Sequence, residues 1–330
     1  MSARRNCSFA VPHDRSAAIA GLLALFIALC GGCTQLDLLR RSYSEDSLPA
    51  QRFQYRDNGE AIFFVLNKSL RLPPSDPDTY IFVISGSDCT SMKYFLPQYF
   101  RGLEGESGPM RIFVVHKRFI EERTSDRFGG CSEAFTRSDH PRRWIADYIE
   151  FIESRLAQRR PKRVVLVGIS EGGEVVPLLA RRIAGVTHVA LLANGGMDPV
   201  EAYRMQARKY GLDEPVEVLA SLADQGAPDS DDFGNRAGGR TWRYWSELRE
   251  LEPTQNLLAL EIPILVGMGE DDRSLPIEGA WQLRDRFAEQ GKTNLTLVTY
   301  EGADHSLFDR ENRVSRLPDF WHRLDLWISQ

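Results

Sequence analysis

The pentapeptide Gly168-Ile169-Ser170-Glu171-Gly172 follows an apolar, β-branched run at 164–167. It precedes a segment of helix-compatible apolar spacing that begins near Gly173. A strand that turns at once into a helix leaves little room at the bend. Glycines on both sides of one serine relieve that crowding and let the serine hold a strained backbone. The helix also aims its free N–H groups and the positive end of its dipole at the same spot, which favours negative charge developing there. Pro177 is tolerated near a helix start, so the spacing predicts that start close to Gly172 or Gly173. The chain is thereby constrained to a strand–turn–helix unit with Ser170 at its apex.

A serine hydroxyl is a poor nucleophile until a base takes its proton, so such a unit calls for a histidine and a carboxylate to orient it. Residues 265–268 read as a buried strand that runs into the acidic turn Gly269-Glu270-Asp271-Asp272-Arg273-Ser274-Leu275-Pro276. Thr296-Leu297-Val298-Thr299-Tyr300 is another strand, followed by Glu301-Gly302-Ala303-Asp304-His305-Ser306. The chain order is therefore serine, aspartate, histidine.

With these three segments in that order, the sequence from about residue 80 to the C-terminus resembles an α/β hydrolase. Members often carry Gly-Glu-x-Asp followed four residues later by Pro. Gly269-Glu270-Asp271-Asp272 with Pro276 fits this pattern, and Gly302-Ala303-Asp304-His305 is similar to the family's histidine loop. The resemblance implies Ser170 as nucleophile, His305 as base and Asp272 as the orienting acid. Asp271 is the direct competitor: one of the pair faces the histidine and the other caps the helix from residue 276. Asp198, after the next strand, is a further substitute acid. The remaining histidines, His13, His116, His140, His188 and His322, lack the post-strand loop setting and are expected to be solvent-facing or structural.

The resemblance also implies an oxyanion hole made by the Glu171 N–H and a second N–H after the strand at 81–84. Ser85-Gly86 stands where the family often has His-Gly, and the backbone donor is assigned to Ser87, with Asp88 as the alternate. No cofactor is expected, and no residue cluster has metal-ligand spacing.

Arg4 and Arg5 precede an apolar stretch at 17–29 and then small residues, the pattern of a secretory signal, too short for a membrane span. Gly31-Gly32-Cys33 resembles the end of a bacterial lipobox, with Cys30 where such signals usually carry Leu. That resemblance implies cleavage after Gly32 and a lipid on Cys33, anchoring the protein to a membrane of the cell envelope; simple secretion is the alternative. Of the 5 cysteines, Cys7 and Cys30 would leave with the signal and Cys33 would carry lipid. Cys89 and Cys131 remain, an even pair in an oxidising compartment, and are expected to form a disulfide; two unpaired thiols are the alternative.

Periodicity organises the rest. Residues 33–50 are a polar tether, and 51–330 suffice for one domain. Segments 52–55 and 61–66 flank Asp57-Asn58-Gly59-Glu60, a hairpin signal. Strands then recur near residue 80 and at 111–115, 163–167, 187–192, 262–266 and 295–300. Helical patterns lie at 92–100, 141–156, 173–183, 277–289 and 316–328. This alternation predicts an α/β fold with a mostly parallel sheet covered on both faces. Residues 196–259 interrupt the rhythm, with helical patterns at 197–210 and 241–251, and are expected to form a small helical cap. Trp242, Tyr244 and Trp245 there could line an acyl pocket or pack the cap onto the body.

The formal charge of −5 becomes −7 without residues 1–32, where Arg4, Arg5 and Arg15 oppose Asp14. That balance offers nothing to nucleic acid. The expected activity is an exported serine hydrolase that cleaves a carboxylic ester or thioester, with a small-molecule acyl substrate. A short-peptide or amide hydrolase is the alternative enzyme, and a catalytically idle hydrolase fold serving as an envelope binding protein is the alternative from another class.

Overall fold

The computed structural model describes residues 48–70, 76–125, 130–211, 213–225 and 230–330. The expected signal segment, Cys33 and most of the tether lie outside them.

Strands are numbered in chain order: β1 Gln51–Gln54, β2 Glu60–Lys68, β3 Thr79–Ile84, β4 Met110–Val115, β5 Arg163–Ile169 and β6 His188–Leu192. A short ribbon, β7 Arg236–Ala237 and β8 Arg240–Thr241, precedes β9 Ile264–Gly269 and β10 Leu295–Tyr300. A second ribbon, β11 Phe308–Asp309 and β12 Val314–Ser315, follows. The main sheet has the order β1-β2-β4-β3-β5-β6-β9-β10. β1–β2 and β2–β4 are antiparallel and every later pairing is parallel. From β3 the chain moves outward to β4 and then returns across β3 to β5. Connections leave β3 and β5 in opposite directions, which opens a crevice at their carboxyl ends.

Both faces of the sheet are buried, and residue alternation decides which side chain goes where. Tyr80, Phe82 and Ile84 of β3 face a core shared with Trp144, Tyr148 and Phe151 of the helix Pro141–Gln158. Ile81 and Val83 face the opposite core, with Phe320, Trp321 and Leu324 of the helix Leu317–Trp327. Phe82 stacks on Phe113 at 5.0 Å between centroids. A one-residue slip would exchange aromatic for aliphatic side chains on both faces, and each misplaced large side chain forfeits part of about 1.5–3 kcal/mol of burial. Asp325 pins the C-terminal helix further. Its buried carboxylate accepts the N–H groups of Glu104, Gly105, Glu106 and Ser107 at 2.7–3.0 Å.

The hairpin at 57–60 forms as expected, with Asn58 at φ 64 and Tyr55 N–H donating to Gly59 O at 2.8 Å. The expected helix at 92–100 does not form. Two 3₁₀ turns, Met92–Tyr94 and Gln98–Phe100, take its place, because Pro97 supplies no N–H and disfavours helical geometry at Leu96. Pro177 is the sixth residue of the helix Gly172–Arg182, deeper than its assignment to a helix start implied. Between β6 and β9 lie the helices Pro199–Tyr210, Glu214–Gln225, Trp242–Leu248 and Pro253–Leu258 together with the β7–β8 ribbon. The second and fourth of these helices carried no distinct sequence signal.

Candidate active site

β5 ends at Ile169, and the next residue, Ser170, has φ 51, a left-handed conformation that costs a non-glycine residue about 1–3 kcal/mol. The surrounding backbone over-determines it. Ser170 N–H donates to Leu192 O at 2.8 Å, and Ser170 O accepts from Gly173 N–H at 2.8 Å and Asn194 Nδ2 at 2.9 Å. The flanking glycines are required by close approach. A Cβ at Gly168 would fall 2.6 Å from Gly172 O, and one at Gly172 would fall 2.3 Å from Ile84 O.

The acid and histidine loops hang from β9 and β10 and are tied to each other. Glu270 N–H donates to Tyr300 O and Asp271 N–H to Ala303 O, each at 3.0 Å. This brings His305 Nδ1 to 2.7 Å from Asp272 Oδ2 and His305 Nε2 to 2.9 Å from Ser170 Oγ. Asp272 is fully buried, and its other oxygen accepts Ser274 N–H at 2.7 Å and Leu275 N–H at 3.0 Å. Those two donors and the imidazole hold an acceptor-only carboxylate, so Nδ1 carries the proton and Nε2 is left to accept from the serine. The Asp272 end of this chain is fully buried, while the His305 side chain is 31% exposed.

Of the competing acids, Asp271 is exposed and is not the partner of the imidazole's Nδ1. The expected division of labour between the two aspartates is corrected: the N-cap of the helix Ile277–Glu289 is Pro276, without a side-chain cap from Asp271. Asp198 instead accepts Thr254 N–H at 3.2 Å, fastening the start of the helix Pro253–Leu258. The other described histidines have separate partners. His116 Nε2 accepts Met92 N–H at 2.8 Å, His140 Nδ1 meets Glu247 at 2.8 Å, His188 meets Thr187 at 2.8 Å, and His322 lies 3.5 Å from Glu106.

The loop after β3 reaches the same place. A Cβ at Gly86 would lie 3.3 Å from the Ser170 Cβ, so Ser85-Gly86-Ser87 runs beside the nucleophile candidate, with Ser87 and Asp88 exposed. The downstream half of this loop is clamped. Cys89 is disulfide-bonded to Cys131, with Cα atoms 5.6 Å apart, and Ser91 N–H donates to Thr124 O at 2.8 Å. The expected pairing of these two cysteines is present.

Sequence reasoning missed a group of charges directly behind the elbow. The Glu171 side chain turns inward and is buried. Its Oε2 lies 2.6 Å from Lys117 Nζ and its Oε1 accepts Tyr244 OH at 2.7 Å. Lys117 also reaches Asp139 Oδ1 at 2.8 Å and sits 3.7 Å from the Trp144 ring centroid. Arg240, on the β7–β8 ribbon, pairs with Asp139 Oδ2, lies 3.9 Å from Glu171 Oε1 and donates to Ser87 O. Burial pushes Lys117 down to about 8, against the upward pull of Glu171. Burial, with Glu171 nearby, pushes the Glu174 carboxyl well above the usual carboxylate range. Charged residues placed just after a buried strand, as Lys117 is after β4, were the available signal. Tyr244 and Trp245 pack edge-to-face at 5.0 Å and are buried, so their role here is packing.

On the outer side of His305 a cavity of about 730 Å³ is lined by Asp271, Arg273, Ser274, Asp304 and Arg310 among others. No group of His, Cys, Asp and Glu able to hold a metal occurs among the described residues. Likewise, no described helix is long and apolar enough to cross a membrane.

A mostly parallel sheet covered on both faces, with a tight strand-to-helix elbow beside its topological switch, defines the α/β-hydrolase fold. Residues 100–317 match the alpha/beta hydrolase family, and the chain belongs to it. No curated protein matches the sequence significantly. Among solved structures the chain is similar to Est1E from Butyrivibrio proteoclasticus, at 13% identity and TM-score 0.54 over 84% of this chain and 97% of that one. A lipase in its open form aligns at 15% identity and TM-score 0.56 over 86% and 99%. Pyrococcus horikoshii acylaminoacyl peptidase aligns at 13% and TM-score 0.51 over 84% of this chain and 41% of that chain. At such identities these likenesses establish the fold.

Proposed function

We propose that this hydrolase is an exported serine hydrolase that cleaves a carboxylic ester or thioester through an acyl-enzyme. The observation that carries the reading is the unbroken hydrogen-bonded chain Ser170 Oγ–His305 Nε2, His305 Nδ1–Asp272 Oδ2 at the elbow. Ser170 Oγ attacks the substrate carbonyl carbon while His305 Nε2 takes the hydroxyl proton, and Asp272 stabilises the imidazolium that forms. The carbonyl oxygen becomes an oxyanion, accepting from the Glu171 N–H and from Ser87 N–H, with Asp88 N–H as the alternate donor. Collapse expels the alcohol or thiol, which takes its proton from His305. Water then attacks the acyl-Ser170 ester with His305 as base, releasing the acid and restoring the serine.

In this reading the β6–β9 insertion serves as a small helical cap, supported by the reach of Arg240 from its ribbon to the Ser87 carbonyl, and residues 51–330 act as one domain. Export is supported by the Cys89–Cys131 bond, which persists in oxidising compartments. The signal at 1–32 would be removed and Cys33 lipidated, leaving the enzyme on an envelope membrane. Mass spectrometry of the mature N-terminus decides this: a diacylglyceryl-modified Cys33 supports anchoring, and an unmodified cysteine or a start elsewhere overturns it.

Substrate class is tested with a matched panel of p-nitrophenyl esters, acyl thioesters and aminoacyl amides, each assayed with wild type and Ser170→Ala. Turnover of esters or thioesters that vanishes in Ser170→Ala is expected. Turnover confined to amides would move the enzyme to the peptidase class.

A further inference from the structure

The four charges behind the elbow close into a ring. Asp139 offers Oδ1 to Lys117 and Oδ2 to Arg240. Glu171 offers Oε2 to Lys117 and Oε1 to Arg240 and Tyr244. Each cation therefore spans both carboxylates, and each carboxylate divides its oxygens between both cations. Lys117, Asp139 and Glu171 are buried, and the Arg240 side chain keeps only 20% exposure. Breaking one member of such a buried set strands the charge of its partner. The ring is thus held as a unit.

What the ring holds is informative. Glu171 is the residue after Ser170, so a fixed Glu171 side chain fixes the backbone that carries the first oxyanion donor. Arg240 also donates to the carbonyl of Ser87, on the loop after β3. That carbonyl shares a peptide plane with the Asp88 N–H and lies across one Cα from the Ser87 N–H, so a guanidinium on the carbonyl sets the direction of the loop's donors. The downstream half of the same loop is already clamped by the Cys89–Cys131 bond and by Ser91 N–H on Thr124 O. Arg240 supplies a hold on the upstream half, and it comes from the ribbon inserted between β6 and β9. Lysine cannot replace it. Its planar fork aims Nη1 at Asp139 and Nη2 at the Ser87 carbonyl, a fixed divergence that a single ammonium nitrogen does not reproduce.

We infer that Arg240 is a positioning residue for the proposed acyl-transfer reaction: through the Asp139–Lys117–Glu171 ring and the Ser87 carbonyl it sets the two oxyanion-hole backbones at a fixed separation. The inference rests on the serine-hydrolase reading. It makes the insertion a structural part of the oxyanion hole, so an ordered β7–β8 ribbon is a condition for full turnover.

The test compares wild type, Arg240→Ala and Arg240→Lys on a p-nitrophenyl ester that wild type hydrolyses, with thermal midpoint and fluorophosphonate labelling of Ser170 measured on each. Arg240→Ala is expected to lose on the order of 10–100-fold in kcat, while KM changes by less than about 3-fold, because the donors act on the transition state more than on the bound ester. Arg240→Lys is expected to fold and still lose about 10-fold in kcat, since a single nitrogen lacks the fork that addresses Asp139 and the Ser87 carbonyl from separate atoms. Millimolar guanidinium chloride should recover part of kcat in Arg240→Ala and leave wild type unchanged, a response that a merely structural defect does not give. If Arg240→Ala fails to fold, Arg240→Lys decides alone. A folded variant with kcat within about 2-fold of wild type, or a loss confined to KM, overturns the inference. Absence of labelling and turnover in wild type would instead overturn the serine-hydrolase reading itself.

Discussion

Asp272 Oδ2 lies 2.7 Å from His305 Nδ1, while the aspartate beside it, Asp271, is exposed on the wall of the neighbouring cavity. Two adjacent carboxylates thus have opposite environments. One is fully buried and receives two backbone N–H groups besides the imidazole; the other faces water.

This contrast predicts unequal mutants. Asp272→Asn presents an amide where a carboxylate stabilised the imidazolium and favours the wrong imidazole tautomer, so kcat for an ester should fall by about 10³–10⁴. Asp271→Asn should stay within about 3-fold, because exposed surface changes away from the reacting atoms are nearly neutral. Steady-state kinetics of the two variants checks the assignment, and equal losses would contradict it.

The Cys89–Cys131 bond closes a separation of 42 residues, which in the chain-entropy view contributes about 4 kcal/mol. The double variant Cys89→Ser, Cys131→Ser is expected to unfold at lower denaturant by that order. It should also lose kcat, because Cys89 immediately follows the candidate oxyanion loop. Wild type treated with a thiol reductant should move the same way. Denaturant titration and ester turnover, with and without reductant, measure both effects.

His116 gives a pH dependence of stability. Burial pulls its folded value down to about 4 from 6.5, and the neutral ring accepts the Met92 N–H through Nε2. The unfolded chain therefore binds more protons between those values, so stability rises with pH across that window. The contribution is fully present above about pH 6.5 and is lost as pH falls through about 4, by about 3 kcal/mol in all. His116→Gln keeps a side-chain acceptor without a titrating group and should flatten this part of the curve. Urea midpoints from pH 7 to pH 4 for both proteins test it; parallel curves would exclude His116 as the source.

The parts of the site that lie at strand ends were readable in the sequence, because each is bracketed by an apolar run and a turn signal. Ser170 and Asp272 follow buried strands and His305 follows the half-buried edge strand β10, and the structure joins the three by hydrogen bonds through His305. The sheet was readable for the same reason. Residues 92–100 were misread because apolar spacing outweighed the effect of Pro97 on the backbone around it. The pairings of the charge ring were not readable, although the place of Lys117 just after β4 signalled one member. Lys117, Asp139, Glu171 and Arg240 sit on four separate segments, and a pairing such as that of Arg240 with Asp139, 101 residues apart in sequence, leaves no local pattern. Glu171 was noticed for its N–H alone, although its buried carboxylate organises what lies behind the elbow.

The most direct measurement is intact-protein mass spectrometry after incubation with a fluorophosphonate, followed by peptide mapping. Wild type should gain one phosphonyl adduct, mapped to Ser170; Ser170→Ala should gain none, and His305→Ala should react far more slowly. An unlabelled, folded wild type, or equal labelling of Ser170→Ala, would contradict a nucleophilic serine at this elbow.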